Sequence, residues 1–146
     1  MVQIPLHIVL AHPRRELLNS AFHEAAHAIV ACRLGLDVIG ASIDQDGGGI
    51  TTTSRDRGPF MGPLAWTVQC AAGPKCSAML GFDLEGCRQD LLDCHGTPPD
   101  QWEDAVSRAA ELIERHWADI CVVAETLLQR GKLTGAELHA LLHKEQ

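Results

Sequence analysis

From about Pro13 to Leu34, apolar residues recur three and four positions apart: Leu17, Leu18, Phe22, Ala25, Ala26, Ile29 and Val30. That spacing predicts a helix, entered at Pro13 and left at Gly35. The period then changes. Residues 37–43 read as a short strand, 46–49 as a turn and 50–53 as a β-branched return strand, which makes a hairpin from Val38 to Thr53. Residues 55–63 hold Gly58, Pro59, Gly62 and Pro63 and read as a loop. Residues 64–80 are small and apolar nearly all round, as in a buried helix, which Gly73-Pro74 should kink or divide.

Residues 84–95 form a shorter, more polar helical stretch closed by Gly96. Thr97-Pro98-Pro99-Asp100 resembles a helix start, and one long apolar face follows from Trp102 to Leu128, ended by Gly131. Thr134-Gly135-Ala136-Glu137 is a capping box for a last helix through Leu138, Leu141 and Leu142. No internal repeat or linker interrupts the pattern. The expected fold is mostly α with one small β-hairpin or sheet, in a single domain over residues 1–146.

Composition narrows the function. There are 19 acids against 12 bases, a net charge of -7, and the bases are scattered. Nucleic acid is therefore a poor partner, since phosphate binding needs a basic face. The apolar start at residues 1–11 is short and precedes Arg14 and Arg15, the reverse of a secretory signal. No run reaches the length of a membrane span. The six cysteines form no Cys-x-x-Cys pair, and Cys32, Cys70 and Cys121 lie in apolar runs. They read as reduced, buried thiols rather than zinc ligands or disulfides. These features predict a soluble, cytoplasmic chain with no membrane partner.

The chemistry is in His23-Glu24-Ala25-Ala26-His27. Residues four apart lie on one helix face, so both imidazoles can reach one ion. Glu24 is about 100° round the helix from His23, where it can flank the ion and take a proton from zinc-activated water. The chain has 8 histidines, so a chance match must be weighed, but Ala25, Ala26, Ala28, Ile29 and Val30 place this segment in a core. A catalytic zinc takes a third protein ligand. Asp83, Glu85, Asp90, Asp93 and His95 are candidates, and spacing does not choose among them.

The run from His23 to Ala31, Leu34-Gly35-Leu36 and the strand over residues 38–43 resembles the peptidase domain of FtsH-type proteases. Gly48-Gly49-Ile50-Thr51 matches that family's glycine-containing turn, and residues 124–138 resemble its closing pattern. The resemblance implies a single zincin-like domain with the HExxH motif on a helix. It also implies Asp90, followed by Leu91, as third ligand, counting from Gly73. Ala26 stands where the family has glycine, and Ser77 and Ala78 stand where it has paired glutamates. The segment between the histidines and Asp90 is shorter, and the membrane anchor and ATPase module have no counterpart here.

The resemblance thus implies a zinc-dependent, ATP-independent metallopeptidase acting on peptide or unfolded protein. His23, His27 and Asp90 would hold Zn2+, with Glu24 as general base. A separate ATPase or a homo-oligomer is left open as partner. The alternatives are a catalytically weak, FtsH-like zinc-binding or regulatory module, and a zinc hydrolase acting on a non-peptide bond. Gly49, Ile50 and Thr51 are the expected substrate-binding edge, because an extended peptide is most simply held by pairing with a strand.

Overall fold

The computed structural model describes residues 2–54, 63–82 and 99–143. A short helix, α1 (Leu6–Ala11), leads into α2 (Arg15–Arg33), the helix on which the rest is assembled. Ala21, Ala25, Ala26, Ala28 and Ala31 give α2 high helix propensity, and their small side chains let neighbours approach it closely. Every residue from Ser20 to Ala31 is buried. Gly35 ends the helix with φ at 82°, while its N–H bonds the Cys32 carbonyl at 3.1 Å and Leu36 N–H bonds that of Ala31 at 2.9 Å. This is a Schellman closure, and it sets the exit angle toward the sheet.

The hairpin follows as β1 (Val38–Ile43) and β2 (Gly49–Thr53), paired antiparallel with Ser42 opposite Ile50 and Ala41 opposite Thr51. Asp44 builds the turn between them, its Oδ1 accepting from the N–H groups of Asp46 and Gly48. A third strand, β3 (Lys132–Thr134), pairs with the other side of β1, so the strand order is β2-β1-β3. The fold class is as expected, mostly α with one small sheet, and β3 is the addition to the expected hairpin.

Helix α3 (Pro63–Met79) packs against α2 and is not divided at Gly73-Pro74. The missing proline donor interrupts a single rung of the ladder. The long helix expected after residue 100 is two helices, α4 (Pro99–Arg115) and α5 (Trp117–Arg130), separated at His116. The break lets α4 cover α3 while α5 covers α2. Gly131 closes α5 in the left-handed conformation, and α6 (Gly135–His143) packs on β1 and β3. No described helix is long and apolar enough to cross a membrane. The loop expected over residues 55–63, apart from Pro63, and the helical stretch over 84–95 lie outside the described residues.

Candidate metal centre

His23, Glu24 and His27 all lie on the buried part of α2, at 9, 6 and 4% exposure. One ligand atom from each falls within 4.8 Å of the others. The two imidazoles stand edge to face, with Nε2 atoms 3.2 Å apart. Each ring is held from behind by α3. His27 Nδ1 lies 2.8 Å from the Gln69 carbonyl oxygen, which can only accept, so Nδ1 carries the hydrogen and Nε2 is an acceptor. His23 Nδ1 lies 3.2 Å from Ser77 Oγ. Metal-binding imidazoles are commonly held in this way, through the nitrogen that does not face the ion.

Gly73 tests whether an ion fits. A Cβ built there would lie 2.3 Å from His27 Nε2 and 2.5 Å from His23 Nε2. Those are clash distances, so any side chain there would push the rings apart; the 3.2 Å between the two nitrogens is close to the roughly 3.3 Å expected of two nitrogens sharing one tetrahedral zinc. The missing side chain of Gly73 therefore leaves room for the two imidazole nitrogens to converge. The two imidazoles fit a metal, and such donors suit zinc among several divalent ions.

Glu24 is held from the other side, by β2. Thr51 Oγ1 lies 2.8 Å from Glu24 Oε1 and 3.1 Å from the Glu24 main-chain oxygen. Gly49 sits so close that a Cβ there would lie 2.9 Å from Glu24 Oε2 and 3.0 Å from the Ser42 carbonyl. The turn before β2 is tied to α2 by Ser20 Oγ, which donates to the Gly47 carbonyl, and by Arg14, which bonds the Gln45 carbonyl at 3.0 Å. Between turn and helix is a cavity of about 220 Å³ lined by Asn19, Ser20, His23, Glu24 and Gly47 to Gly49.

Residues 3–85, more than half of the chain, match the family described as Peptidase M50B-like. The chain belongs to that family. It is therefore a metallopeptidase-family domain, and its matched segment contains the His-Glu-His cluster. The match bears out the metallopeptidase that the resemblance implied without singling out the FtsH type. No curated protein matches the chain.

The fold brings together five of the expected site residues: His23, Glu24 and His27 on α2, with Gly49 and Thr51 of β2 against Glu24. Asp90, like the other candidate third ligands between residues 83 and 95, lies outside the described residues. The expected substrate edge divides by role. Ile43 N–H bonds the Gly131 carbonyl on the β3 side, so Ser42 and Ile50 exchange the β1–β2 bonds. Main-chain groups of Gly49 and Thr51 consequently point to the outer edge of β2, which no described strand pairs, while those of Ile50 point to β1. The Ile50 side chain is 61% exposed. Sequence reasoning missed the support for the histidines and the second role of Thr51 as a clamp on Glu24.

Proposed function

We propose that this chain is a zinc-dependent peptidase that cleaves extended or unfolded polypeptide without ATP. His23 and His27 hold the zinc, with Asp90 as the third ligand implied by the FtsH-type resemblance. The observation that carries this reading is the convergence of two buried imidazoles, their Nε2 atoms 3.2 Å apart where Gly73 has no side chain, beside a carboxylate clamped by Thr51. Zinc in such a site supplies Lewis acidity, which makes water nucleophilic near neutral pH.

Glu24 is the general base and then the general acid. Thr51 donates to Oε1, so Oε2 is the oxygen that receives the proton of the attacking water and returns it to the leaving amine. The clamp also limits rotation of the carboxylate, which keeps it in position through both transfers. Substrate backbone pairs with the outer edge of β2 through Gly49 and Thr51, with the Ile50 side chain contributing on the outer face of the sheet. The edge strand runs beside Glu24, so a peptide paired there lies next to the base. The FtsH-like form of the chemistry is supported by the order of zinc helix, edge hairpin and small-residue helix. The free thiols of Cys32, Cys70, Cys76 and Cys121 support a cytoplasmic site of action. A separate ATPase or self-association would serve to present folded substrates.

The test pairs metal content with turnover. Purified protein should carry about one zinc per chain and cleave an unfolded protein mixture. Glu24→Gln should keep the zinc while hydrolysis falls by about two orders of magnitude or more. Equal cleavage by both proteins would remove Glu24 from the mechanism. Zinc without cleavage in the wild type would leave a metal-binding module.

A further inference from the structure

Ser77 is a buried hydroxyl on α3, 1% exposed, between two polar groups of α2. Its Oγ lies 2.8 Å from Asn19 Oδ1 and 3.2 Å from His23 Nδ1. One hydroxyl has one hydrogen to give. The shorter contact is to an amide oxygen, which can only accept, so the hydrogen goes to Asn19. Ser77 then turns a lone pair to His23, and Nδ1 must supply the hydrogen between them. A neutral imidazole has only one, so His23 Nε2 becomes an acceptor facing the same point as His27 Nε2.

We propose that Asn19 and Ser77 are positioning residues, an uncharged relay that sets the tautomer and ring angle of His23. They do for His23 what the Gln69 carbonyl does for His27. The direction of the relay resides in Asn19. With its amide reversed, Asn19 would donate to Ser77, Ser77 would donate to His23 Nδ1, and the imidazole hydrogen would move to Nε2. There it would bond His27 Nε2, 3.2 Å away, and compete with a metal for both nitrogens. The acceptor oxygen of Asn19 against Ser77 thus favours the metal-ready form before any ion arrives. Because Asn19 also lines the cavity beside Glu24, the relay joins the ligand to the space where substrate would sit.

The relay's effect on affinity rests on the metal-site reading proposed above; its effect on the tautomer does not. Two measurements therefore separate them. Nitrogen-15 NMR of the metal-free protein should place the hydrogen of neutral His23 on Nδ1, and Ser77→Ala should abolish that preference. Chelator competition should give a zinc affinity about 10- to 100-fold lower for Ser77→Ala and for Asn19→Leu. Asn19→Asp, whose carboxylate can only accept, should keep both the tautomer and wild-type affinity or better. Should Ser77→Ala fail to fold, the half-buried Asn19 pair decides. A wild-type His23 carrying its hydrogen on Nε2, or equal affinity in Asn19→Leu and Asn19→Asp, would overturn the relay. The expected tautomer in a protein that binds no zinc would uphold the relay and overturn the metal reading.

Discussion

Helix α2 is covered by α3, by α5 and by the sheet, and the two helix-covered faces are built on different terms. The face toward α3 carries His23 and His27, each bonded to a particular atom, Ser77 Oγ or the Gln69 carbonyl. The face toward α5 is apolar, with Phe22 stacked on Trp117 at 5.4 Å and α5 contributing Ile120, Val123, Ala124 and Leu127, all fully buried. Hydrogen bonds fix which atom points where, whereas apolar burial stabilises in proportion to area and tolerates some change of shape. The α3 face therefore sets the imidazole donors and the α5 face the stability. If so, changes on the two faces should separate metal binding from folding.

Gly73→Ala should separate them most completely. The new methyl would take the position between the imidazoles, 2.3 and 2.5 Å from the two nitrogens. Alanine raises helix propensity by about 1 kcal/mol over glycine, which offsets part of the cost of pushing the rings aside. Zinc content should fall from about one per chain to near zero while the metal-free protein stays folded, as measured by atomic absorption beside circular dichroism. Wild-type zinc occupancy in a folded Gly73→Ala protein would move the ion elsewhere.

Leu127→Ala is the converse. Leu127 is fully buried on α5, and its truncation should cost about 2–5 kcal/mol through lost transfer energy and a residual cavity. Urea unfolding of the metal-free protein would measure that loss, and zinc affinity of the folded fraction should not change. A large loss of affinity would mean that the faces are coupled through the helix.

How far these faces can be read from sequence differs in the same way. The apolar spacing of α2, the glycine exit at Gly35 and the capping box at Thr134 are local signals, and each has the structure expected of it. His23, Glu24 and His27 are also local, because a helix brings residues four apart together. The supports are not. Ser77 is 54 residues from His23, and Gln69 acts through a carbonyl, which every residue possesses. In the sequence Gly73 signals only a kink beside Pro74 and a point to count from, since a missing side chain has meaning only once its neighbours are known. The same holds for β3, where Lys132–Thr134 reads as a connection until Leu133 is placed opposite Ala41. The break at His116 is hidden because hydrogen bonds run across it, His116 N–H to Leu112 and Ile120 N–H to His116.

Cys76 sharpens the comparison within α3. It neighbours Ser77 in sequence but is buried among apolar groups, and desolvation, with a smaller contribution from Cys121, pushes its thiol up to about 12 from 9.0. The thiolate is the reactive form, so alkylation at pH 8 should be about a thousandfold slower than for an ordinary exposed thiol. Mass spectrometry of iodoacetamide-treated protein checks this, and rapid labelling of Cys76 in the folded state would show that α3 opens. The fold favours the protonated thiol, so stability should decline as pH rises above about 9 toward 12.

The smallest effect belongs to a region remote from both faces, the junction of β3 and α6. Glu137 N–H bonds Thr134 Oγ1 at 3.1 Å, and Glu137 Oε1 accepts from Thr134 N–H at 3.4 Å. Arg130 adds an exposed contact to Oε2 at 3.1 Å, of little worth in solvent. The Thr134 hydroxyl contact, then its backbone N–H, holds the Glu137 carboxyl below its ordinary range. A depressed carboxyl contributes stability above its unfolded value and loses it as pH falls through the folded one. Thr134→Ala removes the hydroxyl, should cost about 1 kcal/mol at neutral pH, and should move the Glu137 titration upward toward its ordinary value. Denaturant melts at pH 7 and NMR titration of Glu137 measure the two effects. Zinc affinity should stay at the wild-type level, because this junction touches neither imidazole nor Glu24. A change in affinity with this substitution would mean that the sheet transmits strain from β3 through β1 to α2, and that metal binding depends on more than the α3 face.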